Sequence, residues 1–194
     1  MKAKDRGRNG DLEAILKQAE HYAKYMIGGS SGSVPATLMV STPEGFVLHL
    51  PTKFASVEDK DNLAKTGRLL TVGFKATAIA MISEAWITIP KRRGQPPDLT
   101  TPPSESPDRE EVVAIMAECH GRSAQRFLFI QRDSFGKFIG FGTSLLPPID
   151  EVQGRFAGLM PPKKPTDEMA TAARNLLQAM GIAVEKAGFV PRWN

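Results

Sequence analysis

The sequence predicts an α+β protein, a mostly antiparallel sheet of about six strands with helices packed on it, in the order α-β-β-α-β-β-β-β-α. Three observations carry that prediction. Strand-like segments come in runs joined by short turns instead of alternating with helices, which argues against parallel crossover units. Three segments repeat apolar residues at spacings of three and four, the period of a helix with one buried face. The breaks between strand-like segments hold proline, glycine and aspartate, residues that preset or permit turn dihedrals.

Residues 1–10 are charged, carry Gly7 and Gly10, and read as a frayed lead; residues 11–188 read as one domain. The first helix is predicted to begin after Asp11 as N-cap and to stop at Gly28-Gly29. Its apolar face is Leu12, Ile15, Leu16, Ala19, Tyr22, Ala23, Met26 and Ile27, and its outer face pairs Glu13 with Lys17 and Glu20 with Lys24. Residues 28–35 (GGSSGSVP) read as a flexible connector. Ala36 to Ser41 and Phe46 to Leu50 then form a hairpin around Thr42-Pro43-Glu44-Gly45, closed by Pro51, which lacks the N–H a ladder needs.

Ser56 opens the second helix with Asp59 three residues on, a capping-box variant, and Gly67 on its apolar face permits close approach to a sheet. Thr77 to Ile89 (TAIAMISEAWITI) is the most strand-like stretch. Residues 90–109 hold six prolines and read as a long loop, since proline breaks both helix interiors and central strands. Glu111 to Cys119 is the next strand, with His120-Gly121-Arg122-Ser123 as its turn. Arg126 to Arg132 and Lys137 to Phe141 form a hairpin around Asp133-Ser134-Phe135-Gly136. The first of these is apolar on both faces, which predicts a strand covered on both sides. A proline-marked connector, 143–165, leads to a last helix at 166–187, capped by Thr166, with Met169, Ala170, Ala173, Leu176, Leu177 and Met180 as its apolar face.

Composition excludes several classes. Hydrophobic residues are 41% and charged residues 24%, against disorder. No apolar run is long enough for a membrane helix, so no membrane partner is expected. The single cysteine, Cys119, forbids an internal disulfide, and the N-terminal segment lacks the apolar core of a secretory signal, so the cytoplasm is the expected location. The formal charge of +4 is modest and scattered. The basic residues that could contact nucleic acid are Arg92, Arg93, Arg122, Arg126, Lys163 and Lys164, but few aromatics interleave with them, so nucleic acid is a weak third choice of partner.

No phosphate-binding glycine loop, zinc-ligand pair or nucleophile elbow occurs, and no cofactor or metal is expected. The catalytic candidates are Glu84, Glu118 and His120: carboxylates and an imidazole within strands or at a strand end, where general acid–base groups often sit. Cys119 and His120 are adjacent and point to opposite faces, so they cannot pair as nucleophile and base, though His49 on another strand could reach one of them. His21 is expected to be solvated. Trp86 shares a face with Glu84, and Arg109 and Arg132 complete the ligand-binding candidates. If that face is core, Glu84 needs a partner, and Arg126 or Arg132 could supply it.

The segments SEAW (Ser83 to Trp86) and PSESPDREEV (Pro103 to Val112), followed by a strand, resemble a pattern in uncharacterised bacterial proteins often carried by phages or mobile elements, over roughly residues 77–141. That resemblance implies a strand ending at SEAW and a loop leading into the next strand, and it implies no known activity. Taken together, the sequence favours a non-enzymatic binding or accessory protein acting through protein–protein contacts. It would form a homo-oligomer through a sheet edge or the terminal helix, or bind an unknown protein partner. The alternatives are an enzyme with a small pocket near Glu84, Trp86, Glu118 and His120, and nucleic-acid contact through the arginine and lysine loops.

Overall fold

A computed structural model describes residues 3–29, 32–89, 100–142 and 152–182. The chain is α+β in the predicted order: α1 (Ala3–Gly28), β1 (Thr37–Thr42), β2 (Gly45–His49), α2 (Val57–Gly73), β3 (Ala78–Thr88), β4 (Arg109–Cys119), β5 (Arg122–Arg132), β6 (Phe138–Gly142) and α3 (Asp167–Ala179). The six strands form one antiparallel sheet, β2-β1-β3-β4-β5-β6. Hairpins make every neighbour pair except β1–β3 and β3–β4: α2 bridges the first, and residues 89–108 connect the second.

Because side chains alternate across a pleated strand, each strand feeds two cores. On one face Ala78, Ala80 and Ile82 of β3 and Val113, Ile115 and Ala117 of β4 pack under Leu12, Ile15, Leu16, Ala19, Ala23 and Ile27 of α1. On the other, Leu38 and Val40 of β1 with Ile79 and Met81 of β3 pack under Leu63, Ala64 and Leu70 of α2, Leu177 of α3, and Phe156 and Leu159 of the segment after β6. Leu128 and Ile130 of β5 reach the α1 core while Phe129 is buried on the opposite side, as the doubly apolar strand predicted.

Local chemistry explains the helix positions. Ser56 caps α2 with a reciprocal box: its hydroxyl accepts from the Asp59 amide, and the Asp59 carboxylate accepts from the Ser56 amide. Those hydrogen bonds to the ionised form, the Ser56 amide first, hold the Asp59 carboxyl below its ordinary value. Gly67 lets α2 lie close on the sheet, since a Cβ there would stand 3.4 Å from both Leu38 and Leu159. Thr166 caps α3 through the Met169 amide. α3 runs back along α2: Lys75 after α2 pairs with Asp167, and Arg174 donates to the Gly73 carbonyl at 2.8 Å.

Four expectations are corrected. α1 begins at Ala3, before Asp11; its two glycines cost about 1 kcal/mol each in a helix interior, which is why the sequence suggested fraying, yet the turns continue through them. β5 begins at Arg122, because the β4–β5 turn is the two residues His120 and Gly121, with Gly121 at φ +76. β4 begins at Arg109, inside the stretch expected to be loop. The connector is tied to the sheet at its described end: Val34 is buried and its amide is bonded. α3 ends at Ala179, with Gly181 at φ +72, and the expected continuation over 183–187 lies outside the described residues, as do 90–99 and 143–151 of the two proline-rich segments.

Candidate functional site

The register decides which candidate residues meet. Glu84 is opposite Val113 and Trp86 is opposite Glu111, so Glu84, Trp86 and Glu111 share the α1-side face of β3 and β4. Glu118 is opposite Ile79 and Ser123, on the other face. Five residues of β4 separate the Glu84 level from Glu118, roughly 17 Å at the ordinary strand rise. The single pocket drawn around Glu84, Trp86, Glu118 and His120 therefore resolves into two places, at opposite ends and, for the two carboxylates, on opposite faces of the sheet.

At the Glu84 end, the Glu84 carboxylate accepts from the Val34 amide at 2.6 Å. Neither Arg126 nor Arg132 is its hydrogen-bond partner. Arg132 forms a two-pronged pair with Glu111, 2.9 Å from Nε and 2.8 Å from Nη2, and reaches the carbonyls of Gly32 and Gly136 at 3.3–3.4 Å. Burial, chiefly, raises the Glu84 pKa; the Glu111 charge adds to the rise, while the Val34 amide and Arg132 oppose it. Trp86 is 42% exposed, with the Arg109 guanidinium 4.9 Å above its ring. Arg109 also donates to the Ser104 carbonyl at 2.7 Å, and the Ser106 hydroxyl accepts from the Asp108 amide. Those bonds fold the PSESPDR loop back onto the start of β4.

At the other end Glu118 is 7% exposed, and its two oxygens accept from the Gly158 amide at 2.6 Å and the Met160 amide at 3.0 Å. Ser123, its neighbour across the ladder, accepts from the Val152 amide. From the helix side Arg68 donates to the carbonyls of Gly158 and Ala157, and Thr71 to that of Leu159 at 2.7 Å. Residues 152–160 are thus held by hydrogen bonds from both the sheet and α2.

Two depressions flank the β4–β5 turn. One, of about 250 Å³, is lined by Asp11, Thr77, Cys119, His120, Pro162 and Lys164. The other, of about 590 Å³, lies between Glu118, Arg122 and Ser123 and the 152–162 segment. Cys119 is buried, and His120 stands half-exposed in the turn. His49 lies opposite Leu38, which lies opposite Met81, which lies opposite Met116 of β4; it is three strands from Cys119 and does not reach it. His49 instead lines a third cleft of about 690 Å³ with Leu50, Lys53, Asn62, Leu63, Met180 and others, and its burial lowers its pKa. His21 is half-buried with a buried, unbonded Nδ1, where a solvated ring was expected. Among the described residues, no group of three or more His, Cys, Asp or Glu is arranged to hold a metal ion, and no helix is long and apolar enough to cross a membrane.

The basic residues assigned to nucleic acid are divided. Arg126 faces α1, where it bonds Glu20 at 2.5 Å and Glu13 at 2.8 Å, so two carboxylates already occupy it. Those bonds also replace the predicted role of Glu13 and Glu20 as partners of lysines on their own helix. Arg122, Lys163 and Lys164 are exposed, and Arg92 and Arg93 lie outside the described residues.

One surface was missed. The predicted apolar face of α3 is two stripes about a quarter-turn apart. Ala170, Ala173 and Leu177 are buried on α2 and the sheet, whereas Met169, Leu176 and Met180 are 50%, 54% and 47% exposed, with Ala172 and Ala179 exposed between them. The signal in the sequence was the width of the apolar arc, larger than one contact with a sheet requires. No family model matches the chain, and neither a curated protein nor a solved structure matches it.

Proposed function

We propose that this chain is a non-enzymatic binding or accessory protein that works through protein–protein contacts. The observation that carries this reading is the exposed stripe of α3, three large apolar side chains about half in water on a well-capped helix. Exposed contiguous apolar surface on a folded domain marks interaction sites. The two carboxylates best placed for acid–base chemistry support the reading, because Glu84 and Glu118 already accept backbone amides. The test is a photo-cross-linking residue at position 172 in the cell of origin, with position 163 as control. Protein adducts at 172 that vanish with Leu176→Glu are expected. Adducts that ignore Leu176→Glu, or none at 172, overturn the reading.

A second reading rests on the depression beside Cys119. An acid, an imidazole and an amine (Asp11, His120 and Lys164) line one cavity of about 250 Å³. That volume lies below the roughly 300–1,000 Å³ of small-molecule sites, so it would take only a small polar ligand. If His120→Ala and Lys164→Ala leave small-anion binding and chemical shifts around the turn unchanged, this reading falls.

A further inference from the structure

Resting on the protein-binding reading, we infer that the exposed stripe of α3 pairs with α3 of a second copy of this chain, antiparallel, about a two-fold axis that crosses the seam midway between Ala172 and Leu176. Within the stripe, Met169, Ala172, Leu176 and Ala179 follow spacings of three, four and three, the a and d positions of a short heptad seam, with Met180 on its flank. Large residues occupy one kind of position and alanines the other. In an antiparallel pair each a position meets a d position of the partner, so 169 faces 179 and 172 faces 176. Every layer then sets a long side chain into the space above an alanine. A parallel pair would stack large on large and small on small, leaving voids between the alanines and crowding at Leu176.

Charge does not oppose this pairing. The formal charge of the whole chain is only +4, so the mutual repulsion of two copies is modest. The seam of α3 has no charged side chain, and Arg174, on the opposite side of the helix, bonds the Gly73 carbonyl and the Thr171 hydroxyl. The antiparallel arrangement also sets the two helix dipoles head to tail. Four layers span only about 15 Å of helix, so the contact falls below the roughly 800 Å² per partner of stable complexes. The dimer is therefore weak and concentration-dependent.

Sedimentation of the full chain from micromolar to millimolar protein tests the association, with dimer expected at the upper end. Leu176→Glu is expected to weaken it at least about 30-fold, as for a central interface residue. Register is tested separately, in a Cys119→Ala background. Mixed A172C and L176C proteins should form the 172–176 disulfide heterodimer on mild oxidation, while neither protein alone cross-links efficiently. Disulfides that form 172 to 172 and 176 to 176 overturn the antiparallel pairing. Wild-type protein that stays monomeric throughout overturns self-association, and if position 172 still cross-links a different protein in the cell, the protein-binding reading survives without it.

Discussion

The two ends of the sheet solve one problem in different ways. Each uses a carboxylate, buried at Glu118 and half-buried at Glu84, to tie an irregular segment to a strand, but the charge is matched differently. Glu118 accepts two amides, from Gly158 and Met160, and the same segment is held on its other side by Arg68 and Thr71 of α2. Glu84 accepts one amide, from Val34, and stands beside a second carboxylate, Glu111, which already takes both prongs of Arg132. Two acids there share one guanidinium. The Glu118 end is a closed network of hydrogen bonds, and the Glu84 end is short of positive charge. A buried polar group is cheap only when its partners are complete.

The largest effect is therefore expected at the closed end. Glu118→Ala leaves the buried Met160 amide and the part-buried Gly158 amide without acceptors and should lower unfolding stability by about 2 kcal/mol, read as a shift of the urea midpoint at constant slope. Glu118→Gln keeps one acceptor and should lose roughly half as much. If Glu118→Ala costs no more than a typical surface change, the carboxylate is not the anchor of residues 152–160. Next in size, and close to it, is Arg132→Ala. It removes the partner of Glu111 and leaves two carboxylates facing each other, for a loss of about 2 kcal/mol, between the values for exposed and fully buried pairs. A double-mutant cycle with Glu111→Gln should recover part of that loss, and full additivity would deny the coupling.

The fold was legible because its signals are local. Alternation in TAIAMISEAWITI, the glycine-bearing turns and the Ser56 capping box each act over a few residues, and each has a direct counterpart in the structure. The site was legible only as a set of residue types. Which of them meet depends on register, and register placed Glu84 and Glu118 on opposite faces. Their partners were invisible for another reason: both bind backbone amides, of Val34 and of Gly158 and Met160, which every residue but proline offers. Arg126 shows the same limit. Its carboxylates, Glu13 and Glu20, lie more than a hundred residues earlier and looked fully used by neighbouring lysines. The α3 stripe was readable in principle, since a 13-residue helix with seven large or small apolar residues over so wide an arc has more apolar surface than one sheet can cover.

Substitution of Glu84 separates the two ends by sign. Burial raises its pKa from the ordinary 4.5, so the folded protein holds a proton there more tightly than the unfolded chain does. The corresponding stability is fully present below pH 4.5 and is lost as pH rises through the folded value. At neutral pH the ionised carboxylate is therefore a cost, and Glu84→Gln, whose amide oxygen can still accept from Val34, should stabilise by about 0.5 kcal/mol after allowance for solvent screening. The advantage should fade as pH falls from the folded value toward 4.5. Paired denaturation curves at two pH values check this, and a Gln variant that is less stable at neutral pH would mean that the Val34 bond outweighs the missing charge.

The smallest effect is expected at Arg109, where the Glu84 end meets solvent. Its guanidinium lies 4.9 Å from the Trp86 ring and bonds the Ser104 carbonyl, so it clips the loop that leads into β4 onto the exposed ring. An exposed cation–π contact is worth about 0.5–1 kcal/mol. Arg109→Ala should therefore cost about that much, while Arg109→Lys, which keeps the charge but loses the flat fork, should recover only part of it. Stability alone does not distinguish a stacked ring from a general loss of charge, so the sharper measurement is Trp86 itself. Its side-chain NMR signals should move with Arg109→Ala and stay in place with Glu118→Gln, since those residues sit at opposite ends of the sheet. Movement in both variants would show that the two ends communicate through β4, and the separation drawn between them would then fail.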